Sequence, residues 1–271
     1  MSVINHLFTV LANRFFHLEK KTSKYGAEFG TEYHVFGITI FKKNYSLNSG
    51  ERQTGKTLVE IRQDHKNRYQ FVIDQLMQTG KKPRKILDCF CGNGYGSYML
   101  GQAFPDSTVL GIDGSREAIQ LAEKHFKAGK NFFLHKVFPF YLGKEKYDAI
   151  VSLESIEHIQ DDRSFLGELA SHLEEDGLLF LSTPNSDVYP LAPTENAFHF
   201  KHYSLKDVQE MADRCGLEIL ERYSQNVYLL DEKRNTQGIL PEDQMILKKD
   251  FDGQFDVFVL IHKHDCGRDR K

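Results

Sequence analysis

Between Leu153 and Ile159 the chain reads LESIEHI, which puts Glu154, Glu157 and His158 within five residues. Glu154 lies three positions before Glu157 and four before His158, so on a helical turn all three face one way. Two more imidazoles, His199 and His202, follow in AFHFKHYS. Groups of these types remove protons from hydroxyls as general bases, with His158, Glu157 and His199 as the catalytic candidates. Glu154, Glu157, His158 and His199 also make a mixed carboxylate–imidazole set of the kind that holds a divalent cation and acidifies a hydroxyl. A third reading gives these residues only structural work, capping a helix and satisfying loop backbone. Spacing alone leaves all three open.

The second constellation is glycine-rich. ILDCFCGNGYGS, Ile86 to Ser97, lies between a stretch of strand character and one of helical character. Gly92, Gly94 and Gly96 let the backbone approach a ligand and turn sharply into the helix. Asp113 closes the next strand nineteen positions after Gly94, near the ~20-residue spacing at which a carboxylate accepts hydrogen bonds from ribose hydroxyls. Asp88 stands ahead of the glycines, where it would repel a diphosphate but could organise the loop around a cationic amino-acid ligand. The plainer alternative is a glycine turn that only packs a helix, with Asp113 as its cap.

Both constellations need elements to hold them. From Lys85 onward short apolar runs alternate with helical ones: KILDCF, STVLGID, NFFLHKV, YDAIVSL, GLLFLST, LEILERYSQ and FDVFVLIHK as strands, most of them separated by amphipathic stretches. Such alternation predicts βαβ units and a doubly wound, Rossmann-like α/β fold. Its seven-stranded sheet should be mostly parallel, with one antiparallel strand, the last, at or near an edge. Upstream, Val3, Ile4, Leu7, Phe8, Leu11, Phe15 and Leu18 keep helical spacing, and YHVFGITIFKK reads as β structure. The chain should therefore divide into an N-terminal extension over 1–55 and a main domain over 56–271, led by a helix over 56–79.

Composition narrows the function. Lys and Arg number 35 against 38 Asp and Glu, a net charge of −3, which gives no strong nucleic-acid signal. No apolar run reaches the ~18 residues of a membrane span, and no secretory leader is evident. The four cysteines show neither disulfide nor zinc spacing. A reducing, cytoplasmic setting is expected.

Taken in order, these motifs resemble those of the class I S-adenosylmethionine-dependent methyltransferases, over roughly Lys85 to Lys263. LDCFCGNG is similar to their first motif, LDxGCGxG, and GIDGS to their ribose-binding motif. YDAIVSLESIEH resembles the fourth-strand motif, and LEEDGLLFLSTPN the fifth-strand segment. The resemblance implies S-adenosyl-L-methionine as cofactor, lined by Asp88, Gly92, Asn93, Gly94, Asp113 and Gly114, with Leu153 closing over it. EIRQDHKNRYQF resembles the cap helix of related O-methyltransferases, where Arg68 matches an arginine that helps hold the cofactor's carboxylate; a solvated basic face is the alternative. Two departures stand out. Phe90 replaces the first glycine of the motif, and HKVFPF lacks the aspartate that commonly contacts adenine, which leaves adenine to backbone groups.

ExxEH followed by a later histidine resembles the metal site of small-RNA 3′-terminal 2′-O-methyltransferases, with His199 at the matching offset. ExxEH also occurs in ubiquinone-pathway O-methyltransferases. For the acceptor, FGITIFKK is similar to a short FGIxxxxK segment near the start of many bacterial lipopolysaccharide and capsule biosynthesis proteins. That resemblance favours a sugar hydroxyl of a surface glycan or a related small acceptor. The amphipathic first helix would then dock at the inner membrane surface or on a partner protein. The alternatives are a quinone precursor, an RNA 3′ end, or a non-catalytic cofactor-binding scaffold, which the Phe90 departure keeps open. The long polar stretch Asp231–Gly253 is either a lid over the acceptor or an exposed insertion, partly ordered by its Ile239–Pro241 and Met245–Leu247 clusters.

Overall fold

Strand-forming and amphipathic runs alternate along the chain, and a computed structural model shows what they assemble into. It describes residues 52–80, 82–191 and 198–263, and the backbone alone of 16–22, 28–35 and 38–43. Contacts group the chain into two compact units, Met1–Arg52 with Pro193–Phe198, and Gln53–Ala192 with His199–Lys271.

In the first unit, β1 (Phe16–Thr22), β2 (Glu28–Val35) and β3 (Ile38–Lys43) form an antiparallel sheet in that order. The β structure expected in YHVFGITIFKK is present. The helix expected over the first twenty-one residues is not, at least from Phe16 on: Phe16 and Leu18 alternate with polar neighbours, and β1 pairs with β2 from Phe16↔Val35 to Thr22↔Glu28. A period of two suits a strand as well as a helical reading suits the residues before it. Positions 1–15 of that helix lie outside the described residues.

The second unit holds an eight-stranded sheet in the order β12-β9-β13-β8-β7-β4-β5-β6. Its strands are β4 (Lys85–Cys89), β5 (Thr108–Asp113), β6 (Asn131–His135), β7 (Tyr147–Leu153), β8 (Leu173–Pro184), β9 (Leu217–Gln225), β12 (Lys248–Lys249) and β13 (Phe255–His262). Pairings from β6 through β8 are parallel, and β13 runs antiparallel to both β8 and β9. Seven strands were expected. The eighth, β12, is a two-residue antiparallel addition to β9, and its two exposed lysines blunt the sheet edge. The last strand is antiparallel and near an edge, as expected, with only β9 and the two-residue β12 beyond it, and Phe255 to Leu260 are all buried. A run apolar on both faces is stable only between two other strands.

Five helices cover this sheet among the described residues: α1 (Gln63–Gln78), α2 (Tyr95–Ala103), α3 (Arg116–His125), α4 (Asp162–Ser171) and α5 (Leu205–Arg214). Phe71, Val72 and Leu76 of α1 share one apolar cluster with Leu100 of α2 and Val151, Phe180 and Val257 of the sheet. Phe165 and Leu169 of α4 and Val208 and Met211 of α5 share the other with Leu87, Ile150, Leu179 and Phe258. Alternate residues of β7, β8 and β13 thus feed opposite clusters, as the pleat requires. The leading helix starts at Gln63 rather than near 56, since Leu58–Glu60 makes one 3-10 turn and Ile61 is extended.

The polar stretch between β9 and β13 is ordered. It forms the antiparallel pair β10 (Tyr228–Leu230) and β11 (Thr236–Ile239), then a 3-10 turn at Glu242–Gln244 and β12. Of the two expected anchor clusters, Met245 is buried, whereas Ile239 and Ile246 are about half exposed. The Met245 carbonyl accepts hydrogen bonds from Asn67 Nδ2 (2.7 Å) and Gln225 Nε2 (2.5 Å), which fixes the stretch to α1 and β9.

Candidate active site

The loop after β4 takes its shape from carboxylates. Asp113, fully buried at the end of β5, accepts from the Gly92 amide at 3.0 Å and the Ser115 amide at 2.7 Å. Gly92 itself has φ +57, and a Cβ there would meet nothing within 4 Å. The backbone at that point borders open space. Gly94 and Gly96 serve packing instead: a Cβ on Gly94 would lie 2.6 Å from Ala122 Cβ, and one on Gly96 would enter the Tyr69 ring. Of the three glycines for which spacing suggests a close approach to a ligand, only Gly92 borders open space.

Asp88 is also fully buried, and both its oxygens are occupied within the protein, by Tyr69 Oη at 2.8 Å and Ser97 Oγ at 2.6 Å. Burial pushes its carboxyl up to about 6, against the pull of those two hydroxyls. It ties α1 and α2 to the strand that leads into the loop. Asn93 is buried and donates to the Gly55 carbonyl at 2.5 Å, while its Oδ1 has no hydrogen-bond partner among the described residues. The Gly114 carbonyl meets His135 Nε2 at 3.0 Å, and Leu153 ends β7 half-buried.

Phe90, at the position of the motif's missing glycine, has φ +61. Its backbone therefore takes the left-handed course that glycine would take, and its ring leans on Phe165 at 5.5 Å between centroids. Arg68 of α1 is buried, with its guanidinium 4.9 Å from the Phe255 ring centroid and 3.6 Å from Asp64. Arg68 Nε has no hydrogen-bond partner among the described residues. Burial would raise the Asp64 carboxyl, but paired 2.7 Å bonds from Arg62, with His65 and Arg68 nearby, hold it well below the ordinary range. A buried cation with an unmet donor suits a ligand carrying a carboxylate, and open backbone at Gly92 suits a close approach, so the residues present fit the cofactor expected.

The acidic and imidazole groups converge only in part. Glu157, His158 and His199 each bring a ligand atom to within 4.8 Å of the others. His158 lies edge-on to His199, with ring centroids 4.7 Å apart. Glu154 is not in this group. It sits at φ +50, ahead of a 3-10 turn that starts only at Ile156, so the i, i+3 and i, i+4 geometry expected of it does not form. Its carboxylate accepts from Ser182 Oγ at 2.6 Å instead. Of the four residues expected as a possible metal set, Glu157, His158 and His199 come together and Glu154 does not.

Two strands supply the frame for the three. Glu157 and His158 follow β7, and the backbone after His199 crosses the end of β8: Phe200 donates to the Glu157 carbonyl at 2.7 Å, and Tyr203 to the Pro184 carbonyl at 3.1 Å. Spacing left His202 without a role. It is buried, with Nε2 2.7 Å from His199 Nδ1 and Nδ1 2.6 Å from the Tyr189 carbonyl. Its place three residues after His199 was the available signal. Tyr69 and Ser97 had none, because their bonds to Asp88 exist only after packing.

A family model described as "Methyltransferase domain" matches residues 61–222. The chain is 35% identical over 117 residues to a ubiquinone biosynthesis O-methyltransferase of Pelagibacter ubique, covering 41% of this chain and 48% of that one. It is 25% identical over 177 residues to a malonyl-[acyl-carrier protein] O-methyltransferase of Halalkalibacterium halodurans, covering 63% and 61%. The chain spans about half the length of the first of these relatives. In fold it is similar to an S-adenosylmethionine-dependent methyltransferase from Clostridium acetobutylicum, with a TM-score of 0.54 at 15% identity over 73% of this chain and 92% of that one.

Proposed function

This chain belongs to the methyltransferase-domain family, and from that premise we propose that it transfers the methyl group of S-adenosylmethionine to a hydroxyl of a quinone precursor or a similar hydroxylated aromatic. The observation that carries the reading is the gathering of Glu157, His158 and His199 beyond the carboxyl ends of β7 and β8, the end of an open α/β sheet where ligands bind. Bound S-adenosylmethionine supplies an electrophilic methyl, so the protein's work is alignment and removal of the acceptor's proton. Arg68 holds the cofactor's carboxylate, Asp113 its ribose, and Gly92 gives its backbone room. Glu157, His158 and His199 provide the base.

The acceptor is inferred from the relatives' O-methyltransferase names, several of which specify ubiquinone biosynthesis. The glycan hydroxyl expected from FGITIFKK has no support among them, and Phe36 and Gly37 of that segment lie outside the described residues. Among the described residues no helix is long and apolar enough to cross a membrane. Docking of the N-terminal segment on a membrane or partner is retained only as a proposal.

A second reading of the same three groups is favoured by their donor types. One carboxylate and two imidazoles suit a first-row transition cation better than magnesium, which prefers oxygen ligands. Such a cation would supply Lewis acidity to the acceptor hydroxyl. Calorimetric titration with S-adenosylmethionine, followed by a methyl-transfer assay on a catechol with and without exhaustive chelation, tests both. Cofactor binding with catechol methylation supports the proposal, and methylation of sugar acceptors alone would overturn it. Full activity after chelation leaves the base without a metal.

A further inference from the structure

We propose that His202 is a positioning residue that fixes which ring nitrogen of His199 carries the proton. The Tyr189 carbonyl can only accept a hydrogen bond. His202 Nδ1 lies 2.6 Å from it, so that nitrogen carries a hydrogen. In the neutral ring Nε2 is then the acceptor, and the only hydrogen that can fill the 2.7 Å contact to His199 is the one on His199 Nδ1. His199 is therefore the Nδ1–H tautomer, and its Nε2 holds the basic lone pair.

That is the form a base or a metal ligand must have. With the opposite tautomer, the proton would sit on Nε2 and His199 Nδ1 would meet the His202 lone pair without a hydrogen between them. The relay is built rather than incidental. His202 is buried, and the Tyr189 ring lies over it at 5.7 Å between centroids, tilted by 31°. Tyr189 is itself braced by Tyr228 at 5.7 Å and Phe255 at 5.8 Å, and its amide donates to the Asn185 carbonyl at 2.7 Å. The carbonyl that starts the relay is thus held by the end of β8 and by the strand next to it.

The kinetic consequence rests on the proposed hydroxyl methylation, whereas the proton's position does not, so the two are tested separately. In the full chain labelled with ¹⁵N-histidine, long-range ¹H–¹⁵N correlation reads the protonated nitrogen of His199 directly, with assignment by loss of its signals in His199→Asn. The expected pattern is a protonated Nδ1 and a bare Nε2. His202→Asn keeps a donor for the Tyr189 carbonyl but is too short to reach His199, and it should move the His199 proton toward Nε2. His202→Gln places an acceptor near the lost Nε2 and should keep the proton on Nδ1. His202→Phe serves as a third variant that removes both bonds.

With a catechol as acceptor, His202→Asn should lower kcat about 10- to 100-fold, with S-adenosylmethionine affinity unchanged and His202→Gln recovering most of the loss. A wild-type His199 protonated on Nε2, or a proton that stays on Nδ1 in both the Asn and Phe variants, overturns the proposal. So does an unchanged kcat alongside a shifted tautomer, since His202 would then position nothing that matters to turnover. If no variant methylates a catechol but the tautomer moves as stated, the relay stands and the acceptor reading falls.

Discussion

The two halves of the candidate site are built from different materials. On the cofactor side, contiguous sequence from Asp88 to Ser115 carries most of the geometry, and its decisive bonds run from backbone amides to a buried carboxylate. On the acceptor side, three separate segments around Glu157, Ser182 and His199 meet, and what they present is side-chain oxygen and nitrogen. A backbone cradle binds the same ligand whatever the neighbouring side chains become. A side-chain cluster is as specific as its residues. If, as proposed, the first half holds the cofactor and the second sets the chemistry, changes in the two halves should separate cofactor affinity from turnover.

The largest expected effect is on the acceptor side. His199→Ala or Glu157→Gln should reduce kcat by about 10²–10⁴-fold, the range general-base catalysis supplies, while calorimetry shows S-adenosylmethionine binding unchanged. An equal loss in both would mean that the halves are not separable. On the cofactor side, Asp113→Ala removes charge-assisted bonds worth about 1.5–3 kcal/mol, or tenfold or more in cofactor affinity. Gly92→Ala should also weaken the cofactor, because its Cβ enters the open space, yet leave a folded protein. Gly96→Ala should instead fail to fold, since its Cβ has nowhere to go but the Tyr69 ring. Thermal melts beside the binding curves check that contrast.

The same division explains what could be read from the chain. Every strand from β4 to β9 and β13 was legible, because short apolar runs bounded by turns leave few alternatives, although β8 begins at Leu173, ahead of the GLLFLST run. The glycine loop and Asp113 were legible because their contacts are local. What failed was long-range. β13 is near an edge as expected, but the extra edge strand β12, two lysines long, leaves no mark in the sequence. Glu154 was placed with Glu157 and His158 on a helical turn, but its left-handed backbone breaks the turn before it starts. The bond from Tyr69 to Asp88, nineteen residues later, has no mark in the sequence because it exists only once α1 packs on β4.

Asp88 gives a third effect, on stability alone and read through pH. Its folded carboxyl, at about 6, lies above the ordinary value of 3.8. Protonation thus favours the folded state: the stabilisation is complete below pH 4 and is lost as pH rises through 6. A shift of this size corresponds to about 3 kcal/mol. Asp88→Asn should flatten the stability profile between pH 4 and 6, measured as urea midpoints, and leave the acceptor side untouched. A profile with the same slope in that window would place the titrating group elsewhere.

The smallest effect belongs to Phe90, and it bears on whether the loop holds cofactor at all. A non-glycine residue at φ +61 costs roughly 1–2 kcal/mol, which Phe90→Gly would relieve. Against this, losing a half-buried ring from Phe165 costs part of the ~1.5–3 kcal/mol of a fully buried one, and glycine adds roughly 0.5–1 kcal/mol of unfolded-state entropy. These terms nearly offset, so the variant should be less stable by no more than about 1–2 kcal/mol. Because Phe90 already follows the left-handed course of the glycine it replaces, the amides beyond it stay where they are. Cofactor affinity should then change by less than about threefold, a difference under 1 kcal/mol. If Phe90→Gly instead tightens S-adenosylmethionine binding by an order of magnitude, the ring obstructs the cradle. The native chain would then be nearer to a scaffold that has given up its cofactor than to an enzyme that tolerates an unusual loop.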